Sequence, residues 1–283
     1  VPTVAADQEP DHDAGPDASA AGSDRAPEHP FTLAIDIGGT GLKASVLSKD
    51  GTMVADRVKV DTTYPMPPEG EGGLVSRLVK LVKPLPEADR VSCGFPGMVR
   101  RGHVLSAPHF SLKKGPGSSV DPDLLKAWSG FDLATALSTA FGKATKVAND
   151  ADVQGLAVVE GKGLELVITL GTGFGTAMFM DGELLPHVEV AHQPFRKGET
   201  YNDQIGEAGR KKVGDERWNS RVREAIACMD GMFFFDHLYI GGGNARRVDR
   251  DELGDMLQRT TVVDNTAGIL GGIKLWEGKH QFV

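Results

Sequence analysis

The chain has 283 residues, 40% hydrophobic and 25% charged, enough to bury one large core or two modest ones. No uninterrupted apolar run approaches the roughly 20 residues of a membrane-spanning helix, and its two cysteines, Cys93 and Cys228, exclude a disulfide framework and a cysteine-based zinc site. The net charge of −8 is concentrated at the start: residues 1–30 hold seven acids against one base, which leaves −2 for the rest and no general repulsion of an anionic ligand.

Residues 1–30 are rich in Ala, Asp, Pro and Gly. Such a stretch buries too little apolar surface to offset its ordering entropy and reads as an acidic tail. It lacks the apolar run of a secretory signal, and with no disulfide framework the expectation is a cytoplasmic protein. From Phe31 the pattern changes. Phe31–Ile37 reads as a buried strand ending in Gly38-Gly39-Thr40-Gly41, Leu42–Leu47 as a returning strand, and Asp50-Gly51 as a hairpin turn. Leu74, Leu78, Leu81 and Val82 have helical spacing before the breaker Pro84. Val91–Phe95 is a strand closed by Pro96-Gly97, Leu133–Phe141 a helix, and Thr145–Ala148 extended. A helix over Ala151–Val159 follows Asn149-Asp150 directly. Leu164–Leu170 is a strand running into Gly171-Thr172-Gly173-Phe174-Gly175, with a return over 176–180 and a turn at Asp181-Gly182. Beyond lie a helix over Asp215–Met229, a strand at Leu238–Ile240, a turn at Gly241-Gly242-Gly243 leading into a further helix, and a last helix over Thr266–Glu277.

A buried strand, a Gly/Thr turn and a return strand thus occur twice, at 33–47 and 166–180. Strands alternating with helices predict an α/β fold. Domains are expected at 31–148 and 149–283, with the last helix a candidate to pack back on the first. Glycine turns let backbone N–H groups approach an oxyanion closely, so two facing turns could grip a phosphate chain from both sides. Any one of them alone reads equally well as a plain hairpin. Asn149-Asp150 at a strand-to-helix junction is an ordinary capping pair, or else a carboxylate placed to accept a hydroxyl proton. Glu189 and His192 could bracket sugar hydroxyls; a lone histidine is more often structural.

In their order along the chain, DIGGTGLK at 36–43, FPG at 95–97, NDAD at 149–152, TLGTGFG at 169–175, EVAH at 189–192 and IGGGN at 240–244 resemble the ROK family of sugar kinases, and within it the polyphosphate-using glucokinases. The resemblance runs from Phe31 to the last helix. It implies a two-domain actin-like ATPase (ribonuclease H-like) fold with a cleft between the halves. It further implies Asp150 as catalytic base, with Asn149, Glu189, His192 and Gly97 at the hexose. Asp36, Gly38, Gly39, Thr40, Gly41 and Lys43, together with Gly171, Thr172 and Gly173, would form the phosphate turns. Gly241, Gly242 and Gly243 would lie by the nucleotide, and Asp36 would position Mg²⁺ through water.

The implied activity is transfer of a phosphoryl group from polyphosphate or ATP to the 6-hydroxyl of glucose or mannose. Two departures from the family pattern stand out. No cysteine occurs in 193–214, where most members carry a zinc motif, so zinc is not expected, and Ala191 replaces the usual glycine before the histidine. The family's further sugar-binding acid has no clear position, Glu207 being one candidate. An ATP-only or amino-sugar kinase, a sugar-responsive regulator and an actin-like structural ATPase are the alternatives. Residues 1–30 are too short, acidic and Pro-rich for a DNA-binding domain, so no nucleic-acid partner is expected, and the oligomer is a monomer or homodimer. Arg100-Arg101, Lys113-Lys114, Arg210-Lys211-Lys212 and Arg246-Arg247 are candidate polyphosphate guides, or plain surface charge.

Overall fold

The computed structural model describes residues 28–263 and 267–283, so nearly all of the expected acidic tail, and Thr266 of the last helix, lie outside the described residues. The first half opens with β1 (Thr32–Ile37), β2 (Gly41–Leu47) and β3 (Val58–Asp61), followed by α1 (Leu74–Val82) and β4 (Arg90–Phe95). A small sheet and two helices come next: β5 (Met98–Arg100), β6 (His103–Ser106), α2 (Pro122–Trp128), β7 (Phe131–Asp132) and α3 (Leu133–Phe141). The half closes with β8 (Ala144–Asn149). The main sheet has the order β3-β2-β1-β4-β8, antiparallel up to β1 and parallel beyond it. β1 is almost wholly buried, as a central strand flanked on both sides must be, which is why its sequence shows no polar alternation.

The second half repeats that plan. It comprises α4 (Asp150–Leu156), β9 (Leu164–Leu170), β10 (Phe174–Met180), β11 (Glu183–Leu184), β12 (Pro194–Arg196), β13 (Glu199–Thr200), α5 (Tyr201–Ile205), α6 (Glu207–Val213), α7 (Asp215–Phe233), β14 (His237–Gly241), β15 (Thr260–Val262) and α8 (Ala267–Lys274). Its sheet, β11-β10-β9-β14-β15, has the same strand order and the same senses as the first. This duplicated α/β sheet is the actin-like ATPase plan.

One core, around Ile35, Phe95 and Trp128, backs the first sheet, and another, around Ile168, Trp218 and Phe235, backs the second. Between the sheets, Ala151, Val153 and Leu156 of α4 pack with Phe179 and Leu275. α8 lies across α4 and β1: Lys146 Nζ donates to Leu275 O at 2.7 Å, and Trp276 Nε1 to Ser92 Oγ at 2.9 Å. No helix among the described residues is long and apolar enough to cross a membrane.

Several elements differ from expectation. The helix after Asn149-Asp150 stops at Leu156 rather than Val159, and beyond it the N–H groups of Glu160, Gly161 and Lys162 turn to the buried Glu165 carboxylate. No α-helix directly follows Gly243. Ala245–Arg247 forms a single 3-10 turn and Asp251–Arg259 a second 3-10 stretch, kinked at Gly254 (φ 55°). There the Asp249 carboxylate takes the Asp251 N–H at 3.0 Å, a local bond that competes with helix propagation. α2 was legible and missed, for Asp121 caps it and Pro122 occupies its first turn.

Candidate active site

The turn between β1 and β2 is held from behind. Gly38 N donates to Gly41 O at 2.9 Å, Thr62 Oγ1 to Gly38 O at 2.7 Å, and Tyr64 Oη to Gly39 O at 2.7 Å. A Cβ at Gly39 would come within 3.2 Å of the His109 ring, so glycine lets that imidazole lie against the turn. Asp36 and Lys43 face each other across the β1–β2 ladder and pair at 2.8 Å. The second turn is built alike: Gly171 N donates to Gly173 O at 3.0 Å, and Asn202 Oδ1 accepts from Phe174 N at 3.2 Å. A side chain at Gly173 would collide with Asn202. Gly242, at φ 88°, folds the third turn over the end of β9 where only glycine fits.

Between these turns β8 runs into α4. Asn149 caps the helix, its Oδ1 accepting from Ala151 N at 2.7 Å, and its Nδ2 donates to Gly97 O at 3.0 Å. Asp150 is the first helical residue. Burial, and next the negative charge of Asp36, push its carboxyl up to about 7. On the opposite wall Glu189 Oε1 accepts from Ala191 N at 3.1 Å. Burial works against the Glu189 charge, but His187 and His192 outweigh it and hold the carboxyl below its usual range. His187 is enclosed by two carboxylates, with Nδ1 at 2.9 Å from Asp152 and Nε2 at 3.9 Å from Glu189. Burial opposes its charge too, yet these acids push it up to about 10. His109 is shifted the other way, by burial and by the neighbouring His192.

All of this surrounds one cavity of about 360 Å³ between the two sheets. The ROK family pattern matches residues 32–192. The chain belongs to the ROK family. It is 28% identical over 272 residues to the polyphosphate glucokinase of Mycobacterium tuberculosis, covering 91% of this chain and 94% of that protein. Among solved structures, the inorganic polyphosphate/ATP-glucomannokinase of Arthrobacter sp. strain KM superposes with a TM-score of 0.69 at 27% identity, over 88% of this chain and 100% of that one. A ROK family glucokinase from Streptomyces griseus, solved with glucose and AMPPNP, shares the fold at 20% identity and a TM-score of 0.61, over 88% and 100%.

In this ROK protein the cavity gathers most of the expected residues. The first turn contributes Asp36, Gly38, Gly39, Thr40 and Lys43, and the second Gly171, Thr172 and Gly173. Gly97, Asn149 and Asp150 line the same space, as do Glu189 and His192. Gly242 and Gly243 reach it, whereas Gly241 ends β14 and Gly41 begins β2, and neither lines the wall. Glu207 does not line it either. Arg210, at 2.8 and 2.9 Å, and Asn244, at 2.9 Å, occupy its carboxylate, and Arg210 chiefly draws it down to about 2.

Among the lining residues that the sequence does not single out are His109, His187 and Asn202. His187 stands two residues before Glu189, and that spacing on an extended chain was a usable signal. His109 and Asn202 sit in segments without periodicity, and folding alone brings them to the turns.

Proposed function

We propose that the chain is a hexose kinase that transfers a phosphoryl group from inorganic polyphosphate or ATP to the 6-hydroxyl of glucose and of mannose. The observation that carries this reading is a carboxylate, Asp150, pushed up to about 7 inside a cavity that both Gly/Thr turns line. Phosphoryl transfer requires chiefly alignment and charge neutralisation, with a base to accept the hydroxyl proton. A base titrating near neutrality suits that task.

The sugar lies between Asn149-Asp150 and Glu189-His192, its 6-hydroxyl against Asp150. As the sugar oxygen attacks phosphorus, Asp150 takes the hydroxyl proton, and the donor's terminal bridging oxygen leaves with the shortened phosphate chain. Backbone N–H groups of the two turns orient the phosphates, and Lys43 holds Asp36 in place. Asp36, partly open to the cavity, fits Mg²⁺ taken together with waters and phosphate oxygens, a set this ion accepts, and when bound the ion supplies charge neutralisation.

The test is a product assay with purified protein and Mg²⁺, offering glucose, mannose and N-acetylmannosamine, each with ATP and with polyphosphate. Glucose and mannose 6-phosphates are the expected products. Phosphorylation of the acetylated sugar alone moves the reading to an amino-sugar kinase, and no sugar phosphate from any pair removes it.

A further inference from the structure

His187 has no part in the mechanism above, yet its placement is unusual. Its side chain is only 3% exposed, and Nδ1 is engaged by Asp152, two residues beyond Asp150 on α4. The other nitrogen, Nε2, is buried on the wall of the cavity and is without a hydrogen-bond partner among the described residues. A buried ring N–H left unpaired is unfavourable, so in a native site it points to a missing acceptor. Asp152 and Glu189 together favour the doubly protonated ring, so that both nitrogens carry donors at neutral pH.

Glu189 complements it. Its Oε1 is taken by the Ala191 N–H, and Oε2 lies 3.9 Å from His187 Nε2. That separation is too long for a direct hydrogen bond. It does admit one oxygen at about 2.8 Å from each atom, at a workable angle. The group that fits must accept from a nitrogen and donate to a carboxylate at once, and an alcohol does both, whereas a carbonyl does not.

We propose that His187 and Glu189 together recognise a single ring hydroxyl of the sugar, His187 Nε2–H donating to its oxygen and Glu189 Oε2 accepting its proton. This rests on the reading of the cavity as a hexose site and adds a specificity-determining residue to it. A site built around such a pair rejects a sugar lacking that hydroxyl, because both buried partners are then left unpaired.

The experiment compares wild type with His187→Gln, which keeps one amide donor for Asp152 but has no second N–H in the place of Nε2. Each is assayed with glucose and with its 1-, 2-, 3- and 4-deoxy analogues. For wild type, one analogue loses roughly 10- to 100-fold in kcat/KM. For the variant, glucose itself loses a similar factor, mostly through KM, and the extra penalty for that same analogue shrinks to within about threefold. Unchanged penalties across the series in the variant overturn the proposal.

Should the variant not fold, ¹⁵N NMR of wild type decides. The His187 Nε2–H resonance shifts on adding glucose and stays in place with the penalised analogue, and no shift with glucose overturns the proposal. If wild type phosphorylates no hexose, the hexose reading falls and the pair with it. Turnover of glucose with unaltered penalties removes the pair alone.

Discussion

Ionising Asp150 places a negative charge beside Asp36 where burial has removed most of the water that would screen it, and together these push its pKa up to about 7. Proton abstraction needs the ionised form, so kcat/KM should rise with pH and level off above about 7. Folding prefers the opposite form. The folded carboxyl holds its proton to about 7 and the unfolded one releases it near the ordinary value of 3.8, so the folded state binds more protons between them, and stability present at low pH declines as pH rises through that window. Asp150→Asn cannot ionise and escapes this decline. Its kcat should fall by about 10²- to 10⁴-fold, with the sugar dissociation constant within about threefold of wild type. Its Tm, relative to wild type, should climb between about pH 4 and 7 and level off above. Near-normal turnover would take Asp150 out of the base role, and a Tm difference flat with pH would show that its ionisation does not burden the fold.

Asp150 is the first residue of α4, so its position depends on what packs against that helix. α8 does so most closely, and it can because Gly271 and Gly272 stand at the contact. A Cβ at Gly271 would run into the Val153 carbonyl, and one at Gly272 would lie 3.2 Å from Ser92 Cβ and 3.3 Å from Ala34 Cβ. The Ser92 hydroxyl donates to Gly272 O, which pins the helix to the first sheet. Gly271→Val must push α8 away from α4, and overpacking of this kind costs about 1–3 kcal/mol. We expect a lower Tm together with reduced turnover, because α4 carries Asp150 at its first position. Leu270→Ala, on the exposed side of α8 at 42% exposure, should change neither appreciably. Equal effects of the two substitutions would show that the glycine contact is not what holds α4.

Charge over the whole surface bears on the donor. Polyphosphate is a long polyanion and needs cations beyond the turns, but many basic side chains here are already committed. Arg210 is engaged by Glu207 and Asp215, Lys211 by Glu207 at 3.4 Å, Lys212 by Glu199 at 3.7 Å, and Arg247 by Asp215 at 3.3 Å. Arg246 follows three residues after Gly243, which lines the cavity, and it has no carboxylate partner among the described residues. Exposed and close in sequence to the turn that reaches the cavity, it is a candidate to meet a phosphate chain leaving the site. Arg246→Ala should raise KM for polyphosphate several-fold more than KM for ATP, and the difference should fade as salt is added. Equal losses with both donors would return Arg246 to ordinary surface charge.

The strands, their glycine turns and the capped start of α4 could be read from the chain because each is a local matter. A run such as Thr32–Ile37 is nearly continuous in buried residues, a glycine pair turns the backbone wherever it stands, and Asn149 caps whatever helix follows it. The order of the motifs was likewise enough to announce two similar halves. Other features required the folded molecule. The pairing of His187 with Asp152 spans 35 residues, the close approach of His109 to Gly39 joins a loop to a distant turn, and the seating of α8 on the first sheet closes a separation of 180. Glu207 could not be placed by reading alone, since any acid in that stretch would serve until Arg210 and Asn244 are seen to hold it. Contacts between remote segments depend on how two sheets approach each other, and that approach is set by packing over the whole core, which no local pattern encodes.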